Sequence, residues 1–282
     1  MIRLLTIGNS FADNISAYLP QIMQGAGKEI LIRRANISGC PMDKHWRLAQ
    51  LHEACPNDQE GTPYYNPQTD KCDLGLKEAL MMDPWDFVAI QQFSWISNDA
   101  TTYQPYAQYL YDYAKKYAPQ AEVIMHETWA YRKDDPRFDS VTDSADIMYR
   151  ALSAAYRTVA TELKIRVVPV GDAFQIAAND PNFLYVPDAN YDFANPIYPA
   201  LPDQTNSLHA GYGWRKNEET GEYTLTMDGH HANRTGQYLG GLVFCAFLTG
   251  ISPVGNKFKP DWLSNNEISI LQNAAKRALK SR

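Results

Sequence analysis

Three residues near opposite ends of the chain have the types that acyl transfer requires. Ser10 stands in "IGNSF", directly after an apolar run that begins at Ile2. Asp228 and His231 stand in "DGHH", close to the other end. A serine hydroxyl is a poor nucleophile until a base takes its proton. The base works best when a carboxylate holds its other nitrogen. The set is coherent only if folding carries Ser10 to His231. Each piece also has a plainer reading. Ser10 could be an ordinary helix N-cap, a position that serine favours. "DGHH" could be a polar turn bearing two solvated histidines.

The elements that must position these residues are visible as an alternation. Apolar, β-rich runs cover 2–8, 29–37, 86–92, 121–127 and 165–170. Helical patterns cover 17–27, 74–82, 105–118, 143–163, 233–250 and 265–281. Most of the strand runs are nearly continuous in apolar residues, as expected when helices cover both sheet faces. The expected fold is an α/β/α three-layer sandwich with a mainly parallel five-stranded sheet. In such sheets ligands bind beyond the carboxyl ends of the strands. Ser10 lies just past the first of these ends, ahead of a helix whose free N–H groups favour developing negative charge. Two segments break the alternation, 40–72 and 179–227, and we read them as loop insertions in a single domain spanning 1–282. The second closes with a hairpin, "GWRKNEETGEYTLTM", around a Glu-Thr-Gly turn. Long loops in a compact domain are usually functional or disordered, and the density of Tyr and Trp argues against disorder.

Composition narrows the function classes. The 282 residues are 45% apolar and 21% charged, which is a globular balance. A net charge of -6 and a pI near 5.5 give no basic face for nucleic acid. The longest apolar stretch, "YLGGLVFCAFLTG", is too short to cross a bilayer. "MIRLL" runs straight into the first strand with no signal peptide. We read the chain as an extracytoplasmic protein, periplasmic or secreted, with its leader removed; a cytoplasmic protein is the alternative. Cys55 and Cys72 bracket a polar segment with little core of its own. A disulfide there and four reduced thiols both remain open. No CxxC pair offers a thiolate zinc site.

Taken together, "IGNSF" and "DGHH", with "ANRTGQYLGG" after it, resemble the first and last sequence blocks of the SGNH hydrolases, or GDSL-like esterases, which have a flavodoxin-like sheet. Within that superfamily the chain is most similar to a bacterial group of unknown function with a GNSF first block. The resemblance runs from residue 2 to about residue 250. It implies Ser10 as nucleophile, His231 as general base and Asp228 as its partner. It also implies that the N–H of Gly39, in "NISGCP", faces the oxyanion. The third block departs from the family's Gly-x-Asn-Asp, since this chain has "AIQQFSW". The amide of Gln91 or Gln92 could replace the missing Asn. Strand alternation sends the two to opposite faces, and Gln91 is the one favoured. The implied activity is a serine esterase that removes a small acyl group, acetyl first among them, from a carbohydrate. The implied partner is a small-molecule or oligosaccharide ester, and no cofactor or metal is implied.

Three other readings compete. The Gly-x-Ser-x-Gly elbow of α/β-hydrolases is close to "GNSFA", but that elbow follows several strands, and Ser10 follows one. A metallohydrolase could use Asp228, His230 and His231 with His126 and Glu127 or His209, yet "HETWA" lacks the second histidine of a His-Glu-x-x-His helix. A non-catalytic carbohydrate-binding protein could use the loop aromatics Tyr64, Tyr65, Trp95 and Trp129, with Tyr191, Tyr198, Tyr212 and Trp214. Most of these rings are expected to anchor loops. His45 and Trp46, which follow Gly39, either line the cleft or pack at the surface.

Overall fold

A computed structural model of the chain describes residues 1–138 and 144–280. Asp143 and Ser281, at the ends of two expected helices, lie outside the described residues. Nine strands are present among the described residues: β1 (Ile2–Gly8), β2 (Ile30–Asn36), β3 (Tyr64–Asn66), β4 (Lys71–Leu74), β5 (Phe87–Ile90), β6 (Glu122–His126), β7 (Arg166–Val168), β8 (His209–Lys216) and β9 (Tyr223–Ala232). Five of them form one sheet in the order β2-β1-β5-β6-β7, and every pairing in it is parallel. The chain order across this sheet is therefore second, first, third, fourth, fifth, as in flavodoxin-like folds. The direction of winding reverses between β1 and β5, which makes the crevice beyond their carboxyl ends the natural place for a ligand.

Helices cover both faces of the sheet. On one side pack α1 (Ser10–Ser16), α2 (Leu19–Gly25), α7 (Val170–Ala178), α8 (Arg234–Thr249) and α9 (Asn265–Lys280). On the other pack α3 (Met42–Ala54), α4 (Leu76–Met81), α5 (Tyr106–Tyr117) and α6 (Ala145–Leu163). Leu4, Leu5 and Ile7 of β1 are enclosed between these layers, as are Val88 and Ile90 of β5. Each such side chain contributes roughly 1.5–3 kcal/mol when fully buried. This core holds the central strands, and hence the site at their ends, in a fixed place.

Local chemistry sets the element ends. Ser144 caps α6 by accepting from the Ile147 N–H, and Asn233 caps α8 by accepting from Thr235 and Gly236. The helix expected over 17–27 is α2, and a further short helix, α1, precedes it. Pro20 has no N–H and is tolerated only in a first turn, so a second helix must start near it. The strand expected to run to residue 170 stops at Val168, because α7 begins at Val170. Residues 40–72 are more ordered than a loop. They contain α3 and a small β3–β4 hairpin. The buried face of α3 is Met42, His45, Leu48 and Ala49. Its helical period was masked in the sequence because one of those four positions is polar.

The 179–227 segment combines an irregular path with the expected hairpin, β8 paired antiparallel to β9. The buried Arg132 ties the segment down. It forms an ion pair with Asp134 at 2.6 Å, donates to Gln204, and lies against the Tyr185 ring at 4.2 Å. Cys40 and Cys245 are buried, Cys55 and Cys72 are exposed, and all four thiols are free. Among the described residues no helix is long and apolar enough to cross a membrane.

Candidate active site

The sheet brings three loops to one edge. In register, Gly8 of β1 pairs with Asn36 of β2, and Ile7 pairs with Ile90 of β5. The residues that follow these ends are Ser10, Gly39 and the pair Gln91–Gln92.

Ser10 is the first residue of α1 but not its cap. Asn9 takes that role, accepting from the Phe11 N–H at 3.1 Å. The Ser10 hydroxyl is thereby left for another partner, and its Oγ lies 2.7 Å from Nε2 of His231. On the other edge of that ring, Nδ1 lies 2.8 Å from Oδ2 of Asp228. Burial pushes the Asp228 carboxyl up. The hydrogen bonds from the His231 ring and backbone outweigh burial and hold it well below the usual carboxylate range. An ionised carboxylate can only accept, so Nδ1 of His231 carries the proton. Nε2 is then bare and accepts from the Ser10 O–H.

Asp228 and His231 lie within β9 and not in the polar turn that is the plainer reading of "DGHH". Side chains three apart on a regular strand point to opposite faces. Here the ladder is irregular. Gly211 pairs with Asp228 and His209 with Ala232, so β9 advances four residues while β8 advances two. The extra residues form a bulge that turns the acid and the base to one side. Asp228 Oδ1 fastens the bulge by accepting from the His231 N–H at 3.0 Å. Neighbours hold it from outside. Arg132 N–H donates to the Gly229 carbonyl, the Trp129 indole donates to the His230 carbonyl, and Ala232 N–H donates to the Asn14 side chain. A Cβ at Gly229 would displace the Asp135 carboxylate.

His230 has the opposite environment. The Arg137 Nη2 lies 3.0 Å from its Nδ1. Arg137 keeps its protons, so that nitrogen accepts and the ring is neutral. Burial first, then the His231 charge, push the His230 titration down. Its Nδ1 also lies 3.1 Å from Asp228 Oδ1, but with no proton there it does not compete for the carboxylate. Asp228, His230 and His231 could present three ligand atoms within 4.8 Å of one another. The Arg137 cation sits against one of those atoms, which disfavours a second cation at the same place.

Gly39 has φ +61, a left-handed conformation that suits glycine, and the turn it forms is tied to the nucleophile turn. The Asn9 amide donates to the Cys40 carbonyl at 3.1 Å. Among the described residues neither the Ser10 nor the Gly39 N–H has a protein acceptor. Two backbone donors are thus unclaimed, one at Ser10 and one in the turn that Asn9 ties to it.

The two glutamines are placed differently from the sequence expectation. Gln91 is buried over Gly8 and donates its amide to Asn9 Oδ1 at 2.7 Å. Gln92 turns to the other side, accepts from the Met42 and Phe93 N–H groups and donates to Thr102. Both amides have protein partners in this arrangement, and Gln91 braces the cap residue. His45 is fully buried and not at the cleft surface. Its Nε2–H donates to the Gly8 carbonyl at 2.9 Å, and its Nδ1 accepts from the Tyr64 hydroxyl at 2.8 Å. Burial lowers its pKa to about 4, so it stays neutral in this role. Sequence reasoning missed Asn9 and Arg137, and it set His45 at the cleft or the surface rather than under the nucleophile turn. Asn is a preferred N-cap, and its place before Ser10 was the available signal. Nothing local marked Arg137, which arrives from a distant loop.

A family model described as "Domain of unknown function (DUF4886)" matches residues 3–184. The chain belongs to the DUF4886 family. A crystal structure of a DUF4886 protein from Bacteroides uniformis aligns over 99% of this chain and 95% of that one, with a TM-score of 0.73 at 20% identity. A candidate SGNH hydrolase from Slackia heliotrinireducens aligns over 86% of this chain and 97% of that one, with a TM-score of 0.51 at 20% identity. No curated protein matches the chain. At these identities the likeness establishes the fold, and this DUF4886 chain has the SGNH-hydrolase fold.

Proposed function

We propose that this DUF4886 protein is a serine esterase using Ser10, His231 and Asp228, with residues 1–282 serving as one catalytic unit. The observation that carries the reading is the continuous contact from the Ser10 hydroxyl through the His231 ring to the Asp228 carboxylate. In the reaction, Ser10 Oγ attacks the ester carbonyl carbon while its proton passes to His231 Nε2. The carbonyl oxygen becomes an oxyanion held by the Ser10 and Gly39 N–H groups. Such donors are each worth roughly 2.7–4 kcal/mol in the barrier. The intermediate collapses, and His231 returns the proton to the departing alcohol. Water, deprotonated by His231, then cleaves the acyl-serine and regenerates the hydroxyl. Asp228 stays ionised throughout and stabilises the imidazolium.

The finer reading is a small acyl group, acetyl first, carried on a carbohydrate. It is supported by the polar, aromatic loops around the site. Turnover of p-nitrophenyl acetate tests the coarser claim. Ser10→Ala and His231→Ala should each abolish it, while His230→Ala loses far less, since that ring has no bond to Ser10. Equal losses in the two histidine variants would overturn the assignment.

A further inference from the structure

The structure sorts the loop aromatics. Tyr64 and Trp129 are buried. Trp214 and Tyr191 each donate to the Ala200 carbonyl and so pin the insertion they belong to. Trp95 differs, because it keeps 48% of its surface exposed. Two residues before it, Phe93 lies alongside Gly39, where a Cβ would sit 3.9 Å from the ring. On the opposite side Trp95 stacks on Tyr131, with ring centroids 6.2 Å apart, and the Arg137 guanidinium lies 5.4 Å from its ring. Arg137 in turn reaches His230, the neighbour of the general base. The loop bearing Trp95 therefore spans from the oxyanion side of Ser10 to the histidine side.

Arg137 adds a second feature. Its Nε and Nη2 are held by Asp135, at 2.7 and 2.5 Å, and by His230. Its Nη1 has no protein partner among the described residues. The Asp135 carboxylate cancels the guanidinium charge, so the pair offers N–H donors with little net field. A flat apolar ring face beside such donors suits a ligand with one apolar face and neutral hydroxyls. It does not suit an anion, which would find the charge already compensated, or a fatty chain, which has no acceptor for Nη1.

We propose that Trp95 and Arg137 form the subsite for the alcohol half of the ester, and that this half is a neutral pyranose. The inference rests on the esterase reading above and specifies where the sugar sits. Its C–H face stacks on Trp95, and one hydroxyl accepts from Arg137 Nη1.

The test compares a mono-acetylated methyl glucopyranoside, phenyl acetate and ethyl acetate as substrates. In Trp95→Ala, the ratio of kcat/KM for the pyranoside to that for ethyl acetate should fall about tenfold, and Trp95→Phe should recover part of it. An unchanged ratio overturns the inference. So does a ratio that falls only for phenyl acetate, since an aryl group would then be the occupant. If the wild type turns over none of the three, the esterase reading fails, and binding decides the subsite separately. Calorimetric titration of the pyranoside ester into Ser10→Ala should give binding that Trp95→Ala removes. Equal binding in both, or none in either, overturns the subsite.

Discussion

Replacing Asp228 by Asn changes one proton and almost no volume, so it isolates what the carboxylate does. Oδ1 accepts from the His231 N–H at 3.0 Å and lies 3.4 Å from the His230 N–H, while among the described residues Oδ2 accepts only from the His231 ring. An asparagine oxygen placed at Oδ1 keeps the backbone donors satisfied. The reverse orientation would set an NH2 group against two N–H groups. The first orientation therefore prevails and puts the amide NH2 against His231 Nδ1. That nitrogen must then accept, and the ring proton moves to Nε2, facing Ser10. Ser10 loses its base while every heavy atom stays in place. The same tautomer reversal in a Ser-His-Asp enzyme costs about 10⁴ in kcat, equivalent to roughly 5.4 kcal/mol at 1.36 kcal/mol per tenfold. The assay is p-nitrophenyl acetate hydrolysis, with circular dichroism to verify the fold. We expect kcat to fall by about 10⁴ with KM within about threefold of wild type. A folded Asp228→Asn protein that keeps a tenth of its kcat would refute the claim that Asp228 sets the His231 tautomer.

Two further outcomes follow from the buried groups around the site. Asn9→Ala removes a helix cap, worth about 1 kcal/mol, and leaves the Gln91 amide and the Cys40 carbonyl without their Asn9 partner, at about 1–3 kcal/mol. Urea denaturation should register a total loss of about 2–4 kcal/mol; a loss below 1 kcal/mol would mean that Asn9 does not join the turns. His45 and His126 are fully buried and His209 is half-buried, and desolvation lowers their pKa values to about 4, 3 and 4. In the unfolded chain each takes a proton near pH 6.5, so their contribution to stability is full above that pH. It falls on acidification by roughly 1.4 kcal/mol per pH unit per histidine until the folded pKa is reached. Among the described residues neither ring nitrogen of His126 has a partner, so His126→Leu should flatten the urea-derived slope between pH 6 and pH 4.5 by roughly 1.4 kcal/mol per pH unit. An unchanged slope would show that His126 is not buried neutral.

The legible part of the site was the part that depends on order along the chain. Ser10 directly follows a strand, and Asp228 and His231 directly precede a long helix. Alternating strands and helices then suffice to put both at the carboxyl edge of the sheet. What stayed hidden depends on contacts between distant segments. Gln91 and Gln92 have the right chemistry at the right strand end, and the sequence could not say that Asn9 and Thr102 would claim their amides. α3 was hidden for a related reason. His45 occupies a core position of that helix, and its burial makes sense only once the Gly8 carbonyl and the Tyr64 hydroxyl are known to receive it.

The bulge in β9 joins the two levels. A strand with regular pairing would deliver Asp228 to one face and His231 to the other, and a three-residue spacing would be useless for acid and base. Insertion of extra residues opposite Gly211 reverses that, and the Asp228 carboxylate both closes the bulge and orients the ring. Folding and function then draw on the same hydrogen bonds. The carboxylate that orders His231 for Ser10 also satisfies a backbone N–H left over by the distortion, so loss of Asp228 should loosen the strand as well as disarm the base. This separates Asp228→Ala from Asp228→Asn. The alanine variant loses the acceptor for the His231 N–H and should be the less stable of the two in urea, while the asparagine variant keeps that acceptor and fails in chemistry alone.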